Sequence, residues 1–435
     1  MQAIILGAGI VGLATAYTLA NRGYEVTIID QHDEVGHGAT FANGAQLSYS
    51  YVAPLAGPGV IEKVPKWLLN PDSPLRFRPS LKPSDIGWQL RFLKACNAHR
   101  SEQTTAELLR LAYLSRDLYH EIFKNQTFCN IDFSRAGKLV VHRTAHSMES
   151  AVRQLEVQQR LGGMPQQALS ATECIEKEPA LAPIASQLVG GIYTESEEAA
   201  DAYKVTLAFK QYLMQHGVKF LLNTQVTGFK RHVDNRVSVK VCTSPTTTAH
   251  ASTVGALPNT LSADAIIVCL GVESRNILAS LDIQVPVAPL KGYSLTLDIE
   301  NESMAPHVSI TDFERKVVYA RLGKRLRLAG MADLVGLDYR IDQHRINALI
   351  AEAQAVFAQA GDYRKAQQWT GLRPATPLGK PIIDKTPLEN LYINIGHGAL
   401  GFTLAAGSAE LLADKLENKS HVLAPLFNLA VAKAW

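Results

Sequence analysis

The chain has 435 residues, 47% of them apolar and 19% charged, a balance that buries a large core and excludes a disordered or low-complexity polypeptide. Its formal net charge of +3 lies far from the basic footprint of a dedicated nucleic-acid binder, so no nucleic-acid partner is expected. Five scattered cysteines, Cys96, Cys129, Cys174, Cys242 and Cys269, never form a CxxC pair, which argues against a disulfide framework or a thiolate zinc site and suits a reducing, cytoplasmic setting.

In chain order, residues 3–6 read as a short buried strand, 10–22 as a helix ending at Gly23, and 25–29 as a second strand, together one βαβ unit. No basic segment precedes this apolar start and glycines punctuate it, so it is not a signal peptide. No other run is long and uncharged enough to span a membrane, which leaves a soluble protein or one lying on a membrane surface. Residues 138–142, 287–297, 317–321 and 325–329 alternate apolar with polar residues, with a turn at Gly323-Lys324, and fit an antiparallel sheet. Helices are expected at 148–161, 205–215 and 346–358. Strands at 218–222, within 226–241 and at 265–270 are candidates to return to the first sheet, and 241–262 reads as a polar excursion. The chain closes with a strand at 391–395, a glycine-rich turn and a helix at 402–416. The fold class is therefore α/β: a doubly wound, Rossmann-type cofactor unit (1–95, 146–284, 366–435) interleaved with an antiparallel-sheet substrate unit (96–145, 285–365).

Gly7, Gly9 and Gly12 form G-x-G-x-x-G between the first strand and helix. The first permits the turn, the second lets backbone approach a pyrophosphate, and the third allows close packing. Asp30, ending the second strand, is placed to accept hydrogen bonds from a ribose diol, which disfavours NADP. These residues alone leave NAD and FAD open. In Gly371-Leu372-Arg373-Pro374, a guanidinium held in stiff backbone suits bidentate capture of a carboxylate; its alternative is an arginine capping loop carbonyls.

The segments Ile4 to Tyr17, Thr40 to Gln46, Val52 to Val60, Pro289 to Thr296, Ala329 to Gly336, Trp369 to Pro381 and Asn394 to Ser408 span nearly the whole chain. Together they resemble the FAD-dependent D-amino-acid oxidase superfamily, and within it the bacterial D-amino-acid dehydrogenases. Phe41 and Gly44 depart from the family pattern. The resemblance implies FAD as cofactor, with Gly7, Gly9 and Gly12 at the pyrophosphate, Asp30 at the adenosine ribose, Val226 pairing with adenine and Gly271 near the phosphates. Thr40, Asn43 and Gln46 would follow the isoalloxazine edge. Gly396, Gly398, Gly401 and Phe402 would close over the ring and offer a helix N-terminus to its electron-rich side.

The same resemblance makes Arg373 the substrate-carboxylate arginine. Tyr293 is the second candidate, either bonding that carboxylate, walling the pocket, or serving as a strand tyrosine with a satisfied hydroxyl; Tyr49 and Tyr51 rank below it. His397 is either a general base or a ring fixed by packing, and Lys291 reads as solvated. The implied reaction is oxidative deamination of a D-amino acid, D-alanine among them, to a 2-oxo acid and ammonia, with electrons passed to a quinone or other acceptor. The alternative is a flavin amine oxidase for glycine, sarcosine or a cyclic imino acid using O₂; a flavoprotein binding module serving RNA modification is disfavoured by the weak charge. Residues 54–100 hold eight basic residues against three acids, interleaved with Trp67, Leu68, Leu69, Phe77, Trp88 and Phe92, which suits peripheral docking on the inner face of the cytoplasmic membrane or, alternatively, a core segment with a basic face.

Overall fold

The computed structural model describes every residue except 63–72, 74, 79–81, 244–258 and 434–435. Most of the polar excursion, together with Trp67, Leu68 and Leu69, therefore lies outside the described residues, as does the Phe77 side chain.

Two large sheets organise the chain. The first has six strands in the order Ile382–Lys385, Leu391–Ile395, Ala265–Val268, Gln2–Leu6, Glu25–Ile29 and Lys219–Leu221. All neighbours run parallel except the first pair. Ile4, Ile5, Leu6, Ile266, Ile267 and Val268 are all buried, the near-continuous apolar run of strands covered on both faces. Helix Ile10–Asn21 packs in one core with Gly401–Leu416 and Ala202–Gln215 through Leu13, Ala16, Leu404, Leu411 and Phe209. A 25-residue helix, Ala98–Ile122, joins that core and has no counterpart among the expected elements. It crosses the C-terminal helix closely, because a Cβ on Gly407 would lie 2.9 Å from the Leu111 carbonyl oxygen.

The second sheet has nine strands. Gln367–Ala375, Ala288–Asp298, Arg325–Leu334, Val317–Leu322, Ser309–Asp312, Lys138–His142, Gly190–Thr194 and Gln167–Ser170 follow one another, and Leu75–Phe77 pairs with Arg325–Leu334. The strands expected at 138–142, 287–297, 317–321 and 325–329 are all here. Four others depart from the expected division. Leu75–Phe77 lies in the stretch 1–95, Gln167–Ser170 and Gly190–Thr194 in 146–284 and Gln367–Ala375 in 366–435, yet all four hydrogen-bond into this sheet rather than the parallel one. Gly190 and Gly191 carry no apolar pattern to read, and a Cβ on Gly190 would crowd the Leu169 carbonyl. Gln367–Ala375 contains Pro374, which an edge strand tolerates. Thr224–Arg231, Val237–Thr243 and Thr260–Leu261 form a separate three-stranded sheet, so the alternating stretch does not return to the first one. We propose two interleaved units, one around each large sheet, with the four displaced strands counted in the second.

Candidate active site

A cleft of about 1960 Å³ runs from the C-terminal ends of the parallel strands across one face of the nine-stranded sheet. The crevice beyond the carboxyl ends of parallel strands is where such folds bind ligands, and its size exceeds the ~300–1,000 Å³ usual for one small molecule. Of the expected cofactor residues, Gly7, Gly9, Asp30, Thr40, Val226 and Gly271 line it, as do Asn43, Gln46, Gly396, Gly398, Gly401 and Phe402.

The glycine turn divides its labour as its spacing implies. Gly7 has φ +104°, and a Cβ there would lie 2.6 Å from the Cys269 carbonyl oxygen. Gly12 does not line the cleft; a Cβ on it would overlap the Gly7 carbonyl, so it packs helix against turn. A Cβ on Gly9 would meet only Thr40 Oγ1, at 3.5 Å, so the space beside it is the cleft itself. Gly9 caps helix Ile10–Asn21 without a side-chain bond, leaving that N-terminus to the cleft, where it favours anionic oxygens. Thr40 Oγ1 accepts from the Ile10 N–H at 3.3 Å and ties the two segments together.

Asp30 accepts from the Ala8 N–H at 2.7 Å, the His32 N–H at 3.0 Å and His32 Nδ1 at 2.8 Å. Burial opposes its charge, but the His32 side chain and the two backbone donors hold its pKa below the usual carboxylate value. About four acceptor positions surround a carboxylate, so one remains for a ribose hydroxyl. Gln46 is turned otherwise than expected: its Nε2 donates to the Ile310 and Tyr319 carbonyls, both at 3.4 Å, so the amide is directed to the large sheet. Asn43 Oδ1 accepts from the Ala45 N–H at 2.8 Å, shaping a turn in which Ala45 has φ +59°.

Arg373 sits on an edge strand paired with Ala288–Asp298, not in a loop. Leu290 is its register partner, and its guanidinium crosses Gly292, the next residue on the same face; a Cβ on Gly292 would fall inside that group. Nη1 donates to the Met331 carbonyl at 3.1 Å, and no carboxylate pairs with Arg373 among the described residues. Burial pushes its pKa below the usual guanidinium value, with Asp333 opposing. The result is a cation, still protonated as arginine always is, facing the cleft with donors to spare.

Two other expected catalytic residues, Tyr293 and His397, also border the cleft, but their side chains have partners within the protein. Tyr293 is fully buried, and its hydroxyl donates to Asp333 Oδ2 at 3.0 Å. Asp333 is held in turn by Arg76 and Arg345, each at 2.8 Å. Because strand side chains alternate, Tyr293 shares the face of Leu295 and Leu297, in the apolar cluster behind the sheet, while Arg373 lies over Gly292 on the cleft face. The phenol that was to bind carboxylate is therefore committed elsewhere. Lys291, on the Tyr293 face, is buried rather than solvated, and its Nζ donates to the Arg340 carbonyl at 2.5 Å. His397 is also buried: its Nε2 pairs with Ser408 Oγ at 3.1 Å, and burial pushes its pKa down to about 3. The ring is held against the C-terminal helix, the arrangement that the packing alternative describes.

A second cluster, outside the expected site residues, borders the same cleft. Lys138 faces the cleft from the middle of the large sheet, donates from Nζ to Ser48 Oγ at 3.0 Å, and sits 4.1 Å from the centre of the Tyr51 ring. Burial pushes its pKa down to about 8, with the Glu197 charge opposing. Lys138 opens a strand whose residues are all buried, and an apolar run after a single glycine does not mark a lysine as facing a cleft.

Comparison with known proteins matches this arrangement. The family model described as "FAD dependent oxidoreductase" (DAO) matches residues 2–415, and the chain belongs to that family. It is 44% identical over 98% of both chains to D-amino acid dehydrogenase 2 of Ralstonia nicotianae, and 40% identical to D-amino acid dehydrogenase 2 of Pseudomonas aeruginosa over 95% of this chain and 94% of that one. Among solved structures, glycine oxidase of Geobacillus kaustophilus superposes with a TM-score of 0.74 at 20% identity, covering 98% of this chain and 97% of that one. L-proline dehydrogenase of P. horikoshii superposes with 0.72 at 17% identity, over 98% and 96%. At those identities the likeness is one of fold. The protein is an FAD-dependent oxidoreductase.

Proposed function

We propose that this protein oxidises D-amino acids to 2-oxo acids and ammonia and passes the electrons to a quinone or other acceptor in preference to O₂. The observation that carries the reading is Arg373, a guanidinium facing the cleft with one carbonyl as its hydrogen-bond partner and no carboxylate partner among the described residues. The names of the relatives at 40–44% identity over the whole chain support the D-amino-acid class over the amine-oxidase alternative, which rests on fold neighbours near 20%.

The residues fit FAD. Gly7 and Gly12 leave no room for a side chain, Gly9 opens onto the cleft, and Asp30 keeps an acceptor position free. Gly7, Gly9 and the N-terminus of Ile10–Asn21 would hold the pyrophosphate, Asp30 the ribose, and Val226 the adenine. The turn Gly396 to Phe402 and the N-terminus of Gly401–Leu416, capped without a side-chain bond, would face the ring. FAD, when bound, supplies the two-electron acceptor for hydride transfer.

What the chain contributes is positioning. Arg373 pairs both carboxylate oxygens of the substrate and fixes which face of Cα carries its hydrogen into the cleft, so one enantiomer reacts. The Cα–H bond breaks with its electron pair, the amine nitrogen gives up a proton, and the resulting imine adds water and releases ammonia. His397, neutral and bonded to Ser408, holds the turn beneath the reacting centre.

No helix among the described residues is long and apolar enough to cross a membrane. Reach to a lipid-dissolved acceptor would come through helix Pro83–Ala95, where Ile86, Leu90 and Leu93 are 39%, 61% and 37% exposed at helical spacing beside Arg91 and Lys94. Trp88 and Phe92, expected at such an interface, instead stack on each other with ring centres 5.3 Å apart, and Trp88 Nε1 donates to the Ala375 carbonyl. The test is product analysis: D-alanine with a dye acceptor yields pyruvate and ammonia in equal amounts, and rapid stoichiometric peroxide with O₂ alone would favour the oxidase reading instead.

A further inference from the structure

The cleft does not end at Arg373. Ser294, Ala329, Val318, Thr311, Val140 and Ile192 pair residue to residue across six strands of the large sheet, so all of them share one face. Gly292, two residues before Ser294, and His142, two after Val140, lie on that face as well, and both line the cleft. Phe313 continues the lining past the end of Ser309–Asp312. Helix Ala145–Arg160, packed on Lys138–His142 and Gly190–Thr194, adds Ala151.

At this end of the cleft His142 is 2% exposed, and neither of its ring nitrogens has a hydrogen-bond partner among the described residues. An unpaired buried donor or acceptor costs about 1–3 kcal/mol, so a partner is to be sought in the cleft that the ring borders. Burial holds its pKa below the ordinary value, and a neutral imidazole donates from one nitrogen and accepts at the other. The Phe313 ring stands beside it, with centres 4.8 Å apart. Thr311 Oγ1, buried on the same face, also lacks a partner. The acids nearby are committed: Glu314 accepts from the Arg143 N–H and the Ser147 hydroxyl, and Asp312 pairs with Arg143. That leaves a chamber with an aliphatic floor, an aromatic wall and a neutral polar end, and no carboxylate to receive a cationic side chain.

The span of the cleft selects the size of its occupant. The Arg373 guanidinium bonds the Met331 carbonyl of Arg325–Leu334, and three strand spacings, roughly 14 Å at ~4.8 Å each, lead from there to Lys138–His142. An amino acid as long as tyrosine covers that distance, since it measures about 8 Å from carboxylate to phenol and the hydrogen bond at each end adds about 3 Å. The methyl group of alanine stops far short. We infer that the chamber at His142 and Phe313 is a side-chain subsite for large aromatic D-amino acids with a hydrogen-bonding tip, D-tyrosine first among them. The phenol bonds His142 while the ring lies over Val318 and Val140 toward Phe313. This rests on the proposed function and names the substrate class of the same site.

The test uses FAD-loaded enzyme and two carboxylates that lack the amine and so are not oxidised, desaminotyrosine and hydrocinnamate, which differ only in the phenol oxygen. Calorimetry gives the two Kd values. Wild type binds desaminotyrosine about tenfold more tightly, the order of one hydrogen bond to a group otherwise left unpaired. In His142→Leu, where that bond is gone, the two Kd values lie within about twofold of each other, and kcat/KM for D-tyrosine falls relative to that for D-phenylalanine. Equal Kd values in wild type, or a preference that survives in His142→Leu, overturns the assignment. Should His142→Leu not load FAD, Ala151→Phe supplies the second measurement by filling the chamber: D-tyrosine and D-phenylalanine lose far more kcat/KM than D-alanine, and equal losses for all three count against the subsite. If wild type binds neither carboxylate and oxidises no D-amino acid, it is the proposed function that fails; oxidation of D-alanine without the preference for desaminotyrosine sinks the subsite alone.

Discussion

Arg373 lies across Gly292, and the absence of a side chain at Gly292 is what gives the guanidinium its place on the cleft face of the sheet. The two come from strands more than seventy positions apart in sequence that pair along their whole length. A methyl group at 292 would displace the charge. Gly292→Ala should therefore reproduce much of the defect of Arg373→Lys while keeping FAD. Arg373→Lys replaces a bidentate fork by a point charge and should cost about 2–3 kcal/mol in kcat/KM, some 30- to 150-fold. Steady-state kinetics on D-alanine with flavin content measured in parallel checks both; wild-type kcat/KM in Gly292→Ala would remove the relationship from the mechanism.

The glycines of the dinucleotide turn should separate by assay. Gly9 has φ −75° and open space for a Cβ, so Gly9→Ala should fold with a Tm near wild-type apoenzyme and fail to take up FAD. Gly12→Ala places a methyl group on the Gly7 carbonyl and should lose about 1–3 kcal/mol of stability or more. Thermal unfolding and FAD titration of the two apoproteins tell the effects apart.

His397 gives a pH dependence of definite sign. Its pKa is near 3 when folded, against an ordinary value of 6.5, because burial opposes its charge. Between these values the unfolded chain binds a proton there that the folded chain does not, so stability falls as pH falls from about 6.5 toward 3. His397→Gln should show a smaller drop in urea midpoint between pH 7.5 and 5.5 than wild type. His142, whose pKa burial also lowers, contributes with the same sign in both proteins.

Much of the cofactor half was legible because its chemistry is written in short-range spacing: Gly7, Gly9, Gly12 and Asp30 lie within one βαβ unit. The substrate half was harder. Ala288–Asp298 is buried on both faces, so its pattern could not say whether the face of Gly292 or that of Tyr293 looks into the cleft. Gly371 and Pro374 disguised an edge strand as a stiff loop. Helix Ala98–Ile122 escaped notice because Thr104, Thr105, Glu107 and Ser115 are buried on its inner face and break the apolar period. That the Tyr293 hydroxyl is taken up by Asp333 is likewise visible only in the folded chain, because the two residues lie forty positions apart.

Membrane docking should depend on aliphatic residues of Pro83–Ala95 rather than on the aromatics. Ile86→Ser with Leu90→Ser should reduce flotation with anionic vesicles at low salt, and high salt should release wild type, since each basic residue near the surface contributes about 1 kcal/mol that salt screens. Equal flotation of variant and wild type would assign that helix no part in docking.

Arg373 and the bound flavin should act on one enantiomer of an amino acid. Anaerobic mixing of the purified, FAD-loaded protein with paired D- and L-amino acids, followed by flavin absorbance, tests it most directly. D-alanine or another D-amino acid should bleach the flavin, its L-enantiomer should not, and Arg373→Lys should slow the bleaching without loss of FAD. Bleaching by L-amino acids alone, or an oxidised spectrum with every amino acid of the panel, would contradict it.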